Sequence, residues 1–312
     1  MKKEITSNIE EKTGVKNLAE LLSEGLPGSG LNSLLLDVFD KKTQKIAAAG
    51  LLKHYMSNRL VHPSRTDMIG LLKTETAVLE FLRDRQFTPI ELSPVAQLGS
   101  CSVLGPVDQK KIISGVRSTE VLADATNSIA LHIAQLKKSG KTIGPLHFCT
   151  VHRHLRTQPL LDPNHSAHFK ISCMVSSGKD TGDYRFECEN LQKHIITLNN
   201  LMQQVYGITD IKFRIINRKG YPAGDRMVAT LMNYLKIYAA DIMVFHEPAM
   251  TENNYYKGVQ FKMIVKVNGA ELEIADGGFV DWTQQLLQNT KERLLISGCG
   301  LELLYKLQHT AT

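Results

Sequence analysis

The 312-residue chain has no C-x-x-C pair. Its five cysteines, Cys101, Cys149, Cys173, Cys188 and Cys299, are odd in number and widely spaced. That argues against a zinc ribbon or a disulfide framework and suits a reducing, cytoplasmic compartment. No apolar run approaches the roughly 20 residues that a membrane-spanning helix needs. The opening MKKEITSNIEEK has no apolar core of the kind a secretory signal carries, so no membrane partner is expected. A glycine-rich phosphate loop is missing too. Gly25-Leu26-Pro27-Gly28-Ser29-Gly30 does not follow a strand and reads as a connector. Ser176 to Thr181 mimics the end of such a loop, but Cys173 stands where its first glycine belongs. Nor is charge concentrated. The 37 Lys and Arg and 31 Asp and Glu are scattered, and the net charge of +6 permits a nucleotide or nucleic-acid partner without demanding one.

The hydrophobic content of 43% and charged content of 22% are those of a globular protein. The length allows one large domain with an appendage. Residues 1–60 carry three short apolar blocks at helical spacing and are expected to form a small N-terminal helical segment, with residues 61–312 as the core. Ser64 or Thr66 is placed to cap a helix running to about Arg85, and a strand closed by Pro94 follows. Further helices are expected at about 122–138, 184–206 and 225–240, and a strand from Ile211 to Ile216. Asn268-Gly269, between apolar strands at 261–267 and 271–275, is a hairpin signal. Near the end, a buried strand from Leu294 runs into Gly298-Cys299-Gly300 and a helix.

The chemistry concentrates on residues 146–176, read as two antiparallel strands, 147–156 and 168–176, around a long polar loop. Arg156 ends the first strand, His165 lies in the loop and Phe169 starts the second. An arginine holds phosphate or carboxylate bidentately, and a phenylalanine face takes a purine ring. The histidines 152, 154, 165 and 168 offer a metal set as an alternative, since His152 and His154 point the same way on a strand; nucleotide-site or strand histidines are the plainer reading.

Leu155-Arg156-Thr157-Gln158, followed by His165 and Phe169, resembles motif 2 of class II aminoacyl-tRNA synthetases. The His-x-x-x-Phe spacing looks most like the pyrrolysyl- and O-phosphoseryl-tRNA synthetase branch. The helix–strand–proline unit at 66–94 is similar to motif 1, and Gly298-Cys299-Gly300-Leu301-Glu302 to motif 3, Gly-x-Gly-x-Glu-Arg-Leu. Between them, Tyr255-Tyr256 and then Glu273-Ile274-Ala275 resemble the O-phosphoseryl branch. The resemblance covers roughly residues 60–312, with the motifs in order.

The resemblance implies an α+β fold, an antiparallel sheet flanked by helices, and a homodimer through motif 1. It implies ATP and Mg²⁺ as cofactors, with Arg156, Gln158, His165, Phe169, Glu273 and Glu302 around the nucleotide. Arg156 and Glu273 would be catalytic, and Glu273 would hold the Mg²⁺ bound to ATP. Ser166, Cys173, Tyr256 and Asp276 are placed by position in the pocket for an amino acid or related small molecule. Asp276 suits an ammonium group and would repel a phosphate. Two residues depart from the family pattern: Gln158 stands for the motif 2 Glu and Leu303 for the motif 3 Arg. The chain ends soon after motif 3, and no anticodon-binding domain is expected beyond it. Two functions follow. One is a ligase that forms an aminoacyl-adenylate from ATP, with tRNA as a further partner. The other is a non-catalytic synthetase paralogue that binds a small molecule or regulates.

Overall fold

A computed structural model describes residues 2–142, 144–159, 166–221, 224–247 and 254–309. Four helices come first: α1 (Lys2–Thr13), α2 (Leu18–Glu24), α3 (Gly28–Thr43) and α4 (Ala48–Ser57). No residue of α2, α3 or α4 is buried. This segment meets the rest of the chain through polar contacts. Arg59 donates to the carbonyls of Thr157 and Gln158 at 2.6 and 2.8 Å, and the Arg117 amide donates to Asn32 Oδ1 at 2.6 Å.

The core is an eight-stranded sheet of β1 (Thr88–Pro89), β4 (Leu146–Leu155), β5 (His168–Lys179), β6 (Ile211–Asn217), β7 (Met243–Glu247), β8 (Lys257–Val267), β9 (Ala270–Val280) and β10 (Glu292–Cys299). Its order is β1-β4-β5-β10-β9-β8-β6-β7. Only the two edge pairings, β1 with β4 and β6 with β7, are parallel. The four expected hairpin strands therefore lie in one mostly antiparallel sheet. A separate ribbon pairs β2 (Val95–Gln97) with β3 (Thr119–Val121).

Alternation along the strands gives the sheet two faces. On one face lie α5 (Met68–Asp84), α7 (Arg185–Tyr206) and α8 (Gly224–Tyr238), with α10 (Leu301–His309) beside α5. Val78, Ile195, Leu198, Phe213, Phe261 and Leu295 close the core there. On the other face lie α6 (Ala125–Lys138) and α9 (Trp282–Leu287), over Phe148, Val175, Leu294 and Ile296. Each such side chain, fully buried, contributes about 1.5–3 kcal/mol. A polar chain crosses the first face. His147 Nδ1 meets Ser176 Oγ at 2.8 Å, Ser176 meets His194 Nε2 at 2.9 Å, and His194 Nδ1 meets Ser297 Oγ at 2.9 Å. It joins three strands to α7.

Two local expectations change. Asp67 caps α5, accepting from the amides of Ile69 and Gly70 at 3.1 and 3.0 Å, while Ser64 and Thr66 serve elsewhere. The strand expected over 87–94 is only two residues long; the Ile90 amide still donates to the Cys149 carbonyl at 2.9 Å, and the chain leaves the sheet edge after it. Residues 217–250 hold an additional edge strand, β7, reached from β6 through α8 as a parallel crossover.

Candidate functional site

The first hairpin positions the site. β4 and β5 pair in strict register from Leu146↔Ser177 to Leu155↔His168, and the Arg156 amide donates to the Ala167 carbonyl at 2.9 Å. His154 faces Phe169 across the pair, so both point to the α6 side of the sheet together with Ile171 and Cys173. Arg156 emerges at the end of this row. Its guanidinium forms no ion pair among the described residues and stands 5.3 Å from the centre of the Phe169 ring.

Two cavities of about 460 Å³ each open on either side of Arg156. They share Arg156, Gln158, Ile171 and Gly300 as a common wall. Both volumes fall in the roughly 300–1,000 Å³ typical of small-molecule sites.

The first cavity is floored by β5, β9 and β10 and walled by the start of α6. It receives Asp124, His154, Cys173, Tyr255, Tyr256 and Asp276. Asp124 is the N-cap of α6. Its Oδ1 accepts from the Thr126 amide at 2.9 Å and the Thr126 hydroxyl at 2.7 Å, and its Oδ2 takes the Tyr255 hydroxyl. Asp276 Oδ2 accepts from the Tyr256 hydroxyl at 3.0 Å and from Gln260 Nε2 at 3.2 Å. Burial raises the Asp276 carboxyl above its ordinary range; the bond from Tyr256 works against this and the negative charge of Asp124 adds to it. Cys173 is fully enclosed, and burial pushes its thiol well above the ordinary value, so it packs as a neutral wall. His154 is 2% exposed, and neither ring nitrogen has a hydrogen-bond partner among the described residues. Burial brings its imidazole down to about 4. The opposite wall carries Cys101, Val107 and Ile112 on a loop that buried Glu120 gathers, accepting from the amides of Gly99 and Cys101 at 2.9 and 3.0 Å.

The second cavity lies between β5 and α10. Phe169 and Leu303 supply apolar surface, and Lys170 and Lys306 supply cations. Lys170 is already paired with Glu75 at 2.5 Å, and Lys306 Nζ donates to Ser166 Oγ at 3.0 Å. Gln158 Oε1 is buried here without a hydrogen-bond partner among the described residues.

The structure thus brings Arg156 and Gln158 to both cavities, Phe169 to the second, and Cys173, Tyr256 and Asp276 to the first. His165 lies outside the described residues. Ser166, expected in the amino-acid pocket, lines the second cavity instead, because it sits beyond Arg156 at the α10 end of the hairpin. Glu302 touches the second cavity but is spent on the fold. It is 1% exposed and accepts from Ser64 and Thr66 at 2.5 and 2.7 Å and from the Lys170 amide at 3.0 Å, with Arg153 ion-paired at 3.0 Å. Burial opposes its ionisation, but these donors outweigh it and hold the carboxyl below the usual range.

Glu273 corrects a further expectation. It lines neither cavity. A bulge between Met263 and Ile264 resets the β8–β9 register, and Glu273 forms ion pairs with Arg214 and, at 2.6 Å, Lys262. It is an exposed strand carboxylate with two cations on it. With Glu302 also consumed, the donor set does not fit a protein-held Mg²⁺. No group of three or more His, Cys, Asp or Glu among the described residues fits a metal, the strand histidines included. Residues that sequence reasoning missed are Asp124, His154 as a cavity wall, Tyr255, Gln260 and Lys306. Asp124 carried a readable signal, an N-cap residue before an apolar helical run.

The architecture superposes on a ligand-free histidyl-tRNA synthetase from S. aureus, with a TM-score of 0.60 at 13% identity over 79% of this chain and 70% of that one. A threonyl-tRNA synthetase from Aeropyrum pernix gives 0.59 at 11%, over 76% of this chain and 58% of that chain. The fold is that of a class II aminoacyl-tRNA synthetase core. An ATP phosphoribosyltransferase regulatory subunit/histidyl-tRNA synthetase from Bacillus halodurans shares it, at 0.58 and 14% identity over 77% of this chain and 80% of that one. No family model matches the sequence, and no curated protein does. Among the described residues no helix is long and apolar enough to cross a membrane.

Proposed function

We propose that the chain is a synthetase-type ligase that activates an amino acid with ATP. The observation that carries this reading is the pair of cavities meeting at Arg156. The first offers carboxylates for an ammonium group, and the second offers an aromatic face and cations for a nucleotide. A substrate carboxylate at the shared wall would lie against the α-phosphate of ATP. One carboxylate oxygen attacks the α-phosphorus and forms an acyl–phosphate bond. The bond to the β-phosphate breaks, and pyrophosphate leaves. Arg156 balances the negative charge that builds on the α-phosphoryl oxygens, and Phe169 orients the base. The likeness of the His165 and Phe169 spacing to the pyrrolysyl and O-phosphoseryl branch, and of Tyr255-Tyr256 with Glu273-Ile274-Ala275 to the O-phosphoseryl branch, belongs to this reading, as do transfer to tRNA and a homodimer through residues 66–94.

A non-catalytic small-molecule-binding paralogue is the second reading. Leu303 in the second cavity and Glu273 outside both favour it, and the fold is shared with the Bacillus halodurans protein described as an ATP phosphoribosyltransferase regulatory subunit/histidyl-tRNA synthetase. ATP–pyrophosphate exchange with a panel of amino acids separates the two. The ligase predicts label entering ATP with at least one amino acid, abolished by Arg156→Ala. No exchange with any of them, alongside measurable small-molecule binding, leaves the paralogue.

A further inference from the structure

We infer that the first cavity takes an amino acid carrying a second cationic group, an α,ω-diamino acid of the lysine or ornithine kind. This rests on the reading of that cavity as the amino-acid side of the site.

The charge count comes first. The cavity has two carboxylates, Asp124 and Asp276, and one cation, Arg156 at the shared wall. Neither carboxylate is ion-paired to a described lysine or arginine. Each is held by one of two neighbouring tyrosines whose rings lie 4.8 Å apart: Tyr255 on Asp124 and Tyr256 on Asp276. Both bonds to Asp276 land on Oδ2, which leaves Oδ1 open to a ligand. Two carboxylates against one cation leave the cavity with an excess of negative charge, which favours a cationic ligand. The α-carboxylate of a bound amino acid matches Arg156. Its α-ammonium matches one of the two carboxylates. A neutral side chain would leave the other uncompensated, and an acidic or phosphorylated one would add repulsion at close range.

His154 supplies the second observation. It is 2% exposed, lines the cavity and has no hydrogen-bond partner at either ring nitrogen among the described residues. A neutral imidazole has one donor and one acceptor, and a buried imidazole with neither satisfied is costly. The acceptor nitrogen suits an N–H donor on the ligand, which a second amino group provides and a hydrocarbon or carboxylate side chain does not.

The test is calorimetric titration of the parent chain with L-lysine, L-ornithine, L-norleucine and L-glutamate, run beside ATP–pyrophosphate exchange with each. The inference predicts that a diamino acid binds at least tenfold tighter than norleucine, and that glutamate does not bind. Asp276→Asn should remove that preference while circular dichroism stays unchanged. Norleucine or glutamate binding as tightly as the diamino acids overturns the inference, whether or not the variant folds. Diamino acids that bind without exchange uphold the inference and remove the ligase reading. Exchange driven by norleucine or glutamate alone upholds the ligase reading and overturns the inference. No binding and no exchange overturns both.

Discussion

Arg156 and Phe169 sit 5.3 Å apart, guanidinium carbon to ring centre, at the loop end of one hairpin. The distance is within cation–π range. It follows from the pairing that precedes it: Leu155 opposite His168 and His154 opposite Phe169 bring the residue after one strand beside the first side chains of the next. One backbone register therefore sets both groups that face the proposed nucleotide.

Glu302 is expected to matter for stability. It anchors Ser64 and Thr66, the β5 backbone at Lys170 and Arg153 to α10. Glu302→Ala removes one buried acceptor from all four and should cost about 3 kcal/mol. Urea denaturation checks this; a loss under 1 kcal/mol would contradict the clamp.

Stability should fall in mildly acidic solution, with His154 contributing. Its imidazole, held at about 4 by burial against an ordinary 6.5, stays neutral in the folded chain where an unfolded histidine takes a proton. Asp124 opposes that shift, while Arg156 and His152 reinforce it. A depressed histidine contributes fully above about pH 6.5 and loses its contribution as pH falls toward about 4. By pH 5 the loss is about 2 kcal/mol. Unfolding free energies at pH 7.5 and 5.0 should drop further for the parent than for His154→Gln. Equal drops would count against a buried neutral imidazole.

Much of this fold is legible in the sequence because sheets announce themselves by alternation and turns by composition. Asn268 and Gly269, with φ of 51° and 82°, form the turn that the dipeptide signals, and the hairpin at 146–179 shows in its apolar pattern. Gly207 at φ 66° ends α7 as its position predicts. What stays hidden depends on contacts between distant segments. The irregularity at Ile274, where Met263 pairs with Ala275 and Ile264 with Glu273, gives no sequence signal, and Glu273, a candidate ligand by its motif, is spent on Arg214 and Lys262. Glu302 fits its motif, but its partners Ser64 and Thr66 lie far away in the chain. His154 shows its facing by period two, yet nothing local says that it will be buried in the cavity wall without a partner among the described residues.

Leu303→Arg probes the altered third motif. Leu303 lines the second cavity beside Phe169, with Lys306 one turn along the helix. A restored cation should tighten ATP binding several-fold and leave the melting temperature close to the parent value. A fall in melting temperature with no gain in ATP affinity would mean that the cavity no longer receives a phosphate chain.

Assembly is expected to use α5. Met68, Ile69 and Leu72 are 70, 63 and 41% exposed on that helix, an apolar face that a second copy would cover. Light scattering at micromolar concentration should give twice the mass of 34.8 kDa. A monomer would refute it.

The most direct test of the two-cavity site is calorimetric titration of ATP into the parent chain and into Arg156→Ala and Phe169→Ala. The account predicts that the parent binds ATP. Loss of the Arg156 contact should weaken binding by about 1.5–3 kcal/mol, roughly 10- to 150-fold, and loss of the Phe169 face by about 1–3 kcal/mol, with both variants folded. A parent chain that binds no ATP, or an Arg156→Ala variant that binds it with unchanged affinity, would contradict the account.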